Sequence, residues 1–144
     1  TLTPGDSFDA FDTEMCRMGL NICFDIRFPE SSRLPALDGA KVILNPGAFN
    51  MTTGLAHWEL GFRQRAIENQ VYMIGTAPAR DTEAGYTSWG HSIVVDPWGT
   101  VVMQMDEKEG IEIVEIDLDY VEKIRRKLPL ISARRTDVYE LSSK

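Results

Sequence analysis

The chain has 144 residues, 43% of them hydrophobic and 26% charged, and a formal net charge of −7. That length and balance suit one globular domain with a sizeable core and exclude a disordered chain. The acidic excess argues against a nucleic-acid surface, which needs clustered Lys and Arg, and no apolar run approaches the ~18 residues that would read as a membrane span.

No signal-peptide pattern is present, and the opening TLTPGDS carries no Met, so the natural start is expected upstream. Cys16 and Cys23 are the two cysteines, seven positions apart. An odd spacing along one strand sends side chains to opposite faces, so no disulfide is expected between them. Two reduced thiols suit a cytosolic or organellar compartment. Two Cys and two His at this spacing are too few for a zinc site, and no metal or cofactor is expected. The pairs Arg125-Arg126 and Arg134-Arg135 are short and read as solvated or ion-paired charges.

Residues 1–17 read as a loop leading towards a strand. Leu20 to Phe24, apolar and bounded by Gly19, predicts a buried strand. Pro29-Glu30 opens a helix, because Pro suits the first helical position and Glu the first turn. Pro35 falls inside it, which predicts a short or kinked helix ending at Gly39. Lys41 to Asn45 (KVILN) is the next strand, closed by Pro46-Gly47. Strand, helix and strand in so few residues make a βαβ unit with parallel neighbours. Gly47 to Leu55 (GAFNMTTGL) predicts a loop at the carboxyl end of a strand, where α/β sheets place ligand sites.

Ala56 to Asn69 reads as a helix with Trp58, Phe62, Ala66 and Leu55 on one stripe, and Val71 to Gly75 as a third strand. Arg65 and Glu68 lie at i, i+3 on that helix, an ordinary ion pair. Thr76 to Trp89 is long and polar, the profile of a functional loop. His91 to Val95 and Val101 to Met105 flank DPWGT and predict a hairpin with Gly in the turn. Ile111 to Leu118 alternates with period two and predicts a further strand with one wet face. Asp119 to Lys127 predicts a last helix stopped before Pro129, and the aperiodic tail ISARRTDVYEL is expected to wrap another surface.

Cys23 admits two readings. Free cysteine is among the most buried residue types and often behaves as an inert hydrophobe. At a strand-to-helix turn it can instead be a nucleophile beside helix-terminal N–H groups, which favour a thiolate and can hold an oxyanion. A base is then required. His57 and His91 are candidates, and each is equally open to a capping or packing role. Arg27 is either a helix-terminal surface charge or a planar fork for a substrate carboxylate. GxSxG, P-loop and GxGxxG motifs are absent.

GLNICFDIRFPE resembles the nucleophile segment of the nitrilase, or carbon–nitrogen hydrolase, superfamily. NPGAFNMTTGLAHWEL, RAIENQVYMIGTAPARD, GYTSWGHSIVVDPWGTVV and IDLDYVEKIRRKLPLISARRTDVYEL continue the likeness in order along nearly the whole chain. Within the superfamily, AFNMTTG and APARD resemble the ω-amidase branch, which deamidates α-keto acid ω-amides such as α-ketoglutaramate. The resemblance implies a thiol amidohydrolase acting on a small amide through a Cys thioester. Cys23 matches the nucleophile, and the Phe24 N–H would be an oxyanion donor. Arg27, Phe49 and Thr53 match substrate-pocket positions, with Arg27 anchoring a carboxylate. It also implies an α/β fold that is part of a four-layer α-β-β-α sandwich, assembled as a homodimer or higher homo-oligomer. The family's Glu base and Lys match nothing here. Residues 1–144 are therefore expected to be the C-terminal portion of one domain, with the N-terminal half absent. Alone, such a piece is expected to be inactive, with apolar sheet faces exposed. The alternatives are a catalytically incomplete interaction module of the same fold, and an amidase for another amide such as deaminated glutathione.

Overall fold

The structure, a computed structural model, describes residues 3–143. Six strands form one mixed sheet in sequential order: β1 (Phe11–Asp12), β2 (Arg17–Leu20), β3 (Val42–Pro46), β4 (Tyr72–Thr76), β5 (Ile93–Val95) and β6 (Val101–Gln104). β2, β3 and β4 run parallel, joined by α1 (Pro29–Leu37) and α2 (Met51–Asn69), and the flanking pairs are antiparallel. The central βαβ arrangement is as the sequence predicts. Pairing of Val42 with Tyr72 and Ile43 with Met73 sets alternate residues on opposite faces. Ile43, Met73, Ile93 and Val95 face the helices, where Trp58, Phe62 and Ala66 of α2 complete the main core. Leu55, expected on that stripe, is instead 75% exposed.

The opposite face carries a smaller cluster of Val42, Tyr72 and Val94 with Val121 of α3 (Leu118–Lys127). Cys16 packs on this second face and Cys23 against the helix-side core, and both thiols are free. The expected strand at Ile111 to Leu118 does not form. Its alternation changes phase after Ile113. Val114, Ile116 and Leu118 lean on the second face, while Ile111 and Ile113 are 92% and 95% exposed. The segment has apolar residues to bury but finds no ladder among the described residues.

Boundaries also differ from the sequence reading: the short β1 lies within residues 1–17, read as a loop, and β5 starts at Ile93 rather than His91. The strand expected over Leu20 to Phe24 ends at Leu20, and Cys23–Arg27 is a 3-10 turn. The Asn21 N–H is the last to pair across to β3, donating to the Leu44 carbonyl at 2.9 Å. Asp25 then accepts the Ile22 N–H at 2.8 Å and bends the chain away from the sheet. The loop expected over Gly47 to Leu55 is shorter, because Asn50 caps α2 by accepting the Thr53 N–H at 2.8 Å and starts the helix at Met51.

α1 is short, as Pro35 requires, yet it passes through that proline to Leu37. Proline removes the N–H that the Ser31 carbonyl would accept. The buried Asn21 replaces it. With its amide oriented to satisfy both ends, Asn21 Nδ2 donates to the Ser31 and Leu20 carbonyls at 2.9 and 3.2 Å, and Oδ1 accepts from the Ser32 hydroxyl at 2.9 Å. Asn21→Ala orphans these groups and is expected to lower the unfolding free energy of the complete protein by about 1–3 kcal/mol, read as a reduced urea midpoint.

Candidate active site

The parallel strands β2, β3 and β4 end on one side of the sheet, and the loops that leave them converge there. Cys23 sits at the start of the turn after β2 with φ +49. A non-glycine residue in the left-handed region is strained by roughly 1–2 kcal/mol, and such strain persists only where surrounding contacts impose it. Several contacts do so here. Asp25 ties Ile22 from within the turn. Arg65 of α2 reaches under it, donating from Nε to the Ile26 carbonyl at 2.9 Å and from Nη2 to the Arg27 carbonyl at 3.2 Å. Its Nη1 pairs with Glu68 at 2.8 Å, with side chains only 11% and 22% exposed. The ordinary helix pair of the sequence reading is therefore also the clamp on the turn. Gly47 completes the support, because a Cβ there would lie 3.0 Å from the Cys23 Cα.

The Cys23 sulfur is half-buried and lies 3.9 Å from the Ala48 carbonyl oxygen. The adjacent Phe24 N–H has no acceptor among the described residues, whereas the Asp25 N–H donates to the Ile22 carbonyl. Neither histidine pairs with the sulfur. His91 Nδ1 is 2.8 Å from the Trp89 carbonyl, and His57 Nδ1 is 3.1 Å from Arg27 Nη1. A Cys–His dyad is not formed.

Arg27 leaves the turn and lays its guanidinium 4.5 Å from the Phe49 ring centroid and 5.2 Å from that of Phe24. Its Nε is buried and has no hydrogen-bond partner. Phe49 is itself 5% exposed and packs edge-on against Trp58, which in turn packs at a tilt against Phe62. Arg27 and Phe49 are thus brought together. Thr53 is spent differently: its hydroxyl donates to Asn50 Oδ1 at 2.9 Å, inside the α2 cap.

The long loop between β4 and β5 borders the same region. The Trp89 N–H donates to the Phe49 carbonyl at 2.7 Å, and the Tyr86 hydroxyl donates to the Ala48 carbonyl at 2.7 Å. Tyr86 escaped the sequence reading, and Arg65 entered it only as an ordinary ion pair with Glu68. Tyr86 carries no local signal, since only the folded loop brings it to Ala48. Arg65 had one: it lies on the same helical stripe as Trp58, Phe62 and Ala66, so a charge sits on a buried face. Among the described residues, no group of three or more His, Cys, Asp or Glu is placed to hold a metal, and no helix is long and apolar enough to cross a membrane.

The fold is an α/β sheet with a strained, half-buried cysteine where the first parallel strand gives way to helix. Residues 1–126 match the carbon-nitrogen hydrolase family, and the chain belongs to it. Omega-amidase NIT2 of Bos taurus is 51% identical over 144 residues, all of this chain and 52% of the bovine protein. The crystal structure of Saccharomyces cerevisiae Nit3, a member of branch 10 of the nitrilase superfamily, superposes with a TM-score of 0.88 at 44% identity, over 94% of this chain and 50% of that one. The Caenorhabditis elegans NitFhit protein gives a TM-score of 0.92 at 44% identity, over 98% of this chain and 34% of the other. The chain spans about half the length of the curated relatives it matches.

Arg65→Met leaves two turn carbonyls and Glu68 without their partner. It is expected to cost about 3 kcal/mol of stability, measured by urea unfolding of the complete protein. The two thiols are also expected to differ in reactivity. Burial pushes the Cys16 thiol up from its ordinary pKa, against a weaker opposing pull from Lys41. At neutral pH a limiting dose of iodoacetamide is expected to label Cys23 before Cys16, as read by peptide mass spectrometry.

Proposed function

We propose that this chain carries the nucleophile of a thiol amidohydrolase of the ω-amidase type, which converts an α-keto acid ω-amide to the dicarboxylate and ammonia. The observation that carries the reading is the strained φ of Cys23, imposed by the Arg65 clamp, beside an N–H left without an acceptor. In this reading the Cys23 thiolate attacks the amide carbon, and the Phe24 N–H receives the carbonyl oxygen as it becomes negative. The C–N bond breaks, and nitrogen leaves as ammonia with a proton from a general acid. Water then attacks the thioester, returning the thiol and releasing the carboxylate. Arg27, fixed over Phe49, supplies a charged fork for the substrate carboxylate, and Thr53, held in the α2 cap, is a further pocket position on this reading.

The base and the cation that stabilises the tetrahedral intermediate are, on this reading, Glu and Lys side chains from the rest of the domain, of which residues 1–144 form the C-terminal portion. The relatives' greater length and the apolar side chains left on the second face, with Leu20 45% exposed, support that placement. The missing portion would lay its own sheet over this face and complete the four-layer sandwich.

The test uses the complete protein with α-ketoglutaramate. Cys23→Ser is expected to reduce ammonia release by at least about 10³-fold, as loss of a covalent nucleophile does. Undiminished turnover in that variant would overturn the reading. Rapid quenching of the native enzyme is expected to show an acyl mass on the peptide containing Cys23.

A further inference from the structure

We propose that His57 is a positioning residue that fixes the direction of Arg27 and so sets selectivity for amides bearing a carboxylate. The inference rests on Arg27 as the carboxylate anchor. An arginine offers donors only, so at 3.1 Å from Arg27 Nη1 the His57 Nδ1 accepts, and the ring is neutral with its proton on Nε2. The aromatic faces of Phe49 and Phe24 set how high the guanidinium lies, at 4.5 and 5.2 Å. A ring face attracts a cation at any rotation within its plane. The directional contact is therefore the bond to His57, and among the described residues no other hydrogen bond from the Arg27 side chain is formed.

That bond also selects a donor. It consumes Nη1, and Nε is buried without an acceptor, so Nη2 is the guanidinium nitrogen left to donate to a carboxylate oxygen. Among the described residues, no charged side chain other than Arg27 is hydrogen-bonded or ion-paired to His57. On α2, Glu59 pairs with Arg63 at 3.4 Å, and Glu68 pairs with Arg65 at 2.8 Å. Arg80 of the long loop donates to the Trp89 carbonyl at 2.8 Å. None of these is hydrogen-bonded to His57. In the turn itself, Asp25 is engaged by the Ile22 N–H.

His57→Phe keeps a ring and deletes the acceptor, whereas His57→Asn keeps an acceptor near the position of Nδ1. Steady-state kinetics of the complete protein would compare α-ketoglutaramate with a neutral amide of similar length, with Arg27→Met as the reference. In His57→Phe the KM for α-ketoglutaramate is expected to rise about tenfold, with kcat moving far less, as a lost hydrogen bond to a charged group predicts. The kcat/KM preference over the neutral amide should fall by a similar factor, and His57→Asn should recover most of it. An unchanged preference in His57→Phe, or equal loss in both His57 variants, overturns the proposal. If Arg27→Met leaves the KM for α-ketoglutaramate unchanged, the carboxylate-anchor reading has failed. If Arg27→Met raises it and His57→Phe does not, only the role of His57 has failed.

Discussion

The guanidinium of Arg65, held beneath the turn that follows β2, is the contact on which the site depends. The turn has left the sheet at Asn21 and has not yet entered α1, so its carbonyls belong to no ladder. Buried carbonyls without partners are costly. Arg65 satisfies two of them with one planar group while Glu68 neutralises its charge. A lysine offers a single point of donation and cannot bridge two carbonyls in the same geometry. Because Arg65 projects from α2, the conformation of Cys23 is coupled to the docking of a helix some forty residues further along the chain.

The same helix organises the rest of the site. Its buried stripe carries Trp58 and Phe62 into the core, and Trp58 supports Phe49, on which Arg27 lies. Its exposed side presents His57 to Arg27. The Trp58 indole also donates to the His91 carbonyl at 2.7 Å, tying the long loop's exit to the same scaffold. One rigid element thus sets the cysteine turn, the arginine and the loop together. Such a site needs no separate device to keep its parts in register.

The two sheet faces are treated unequally. The helix-facing side is closed by α1 and α2, and the other is covered in part by α3 and the Val114 to Leu118 segment. Exposed Ile111 and Ile113, with the change of phase that follows them, show a segment whose apolar content exceeds what this chain buries.

Local chemistry was legible in the sequence wherever the physical cause lies within a few residues. Pro29-Glu30 marked the start of α1, the periodic stripe marked α2, the apolar runs marked β3 and β4, and Gly99 marked the hairpin. The motif around Cys23 and those that follow it along the chain are characteristic of the family. Three things lay beyond that reach. The alternation from Ile111 to Leu118 looks like a strand, but a strand exists only where a partner ladder is present. The run through Leu20 to Phe24 looks buried, but Asp25 and Arg65 decide where the chain leaves the sheet. Arg65, His57 and Tyr86 acquire their partners from positions roughly 30 to 40 residues away in the chain. The sequence by itself determined the elements, their order and the family, because propensity, periodicity and motif are local. Only the tertiary structure decided which side chains hold Cys23 and Arg27 in place, because those contacts form between segments that meet when the helices dock on the sheet.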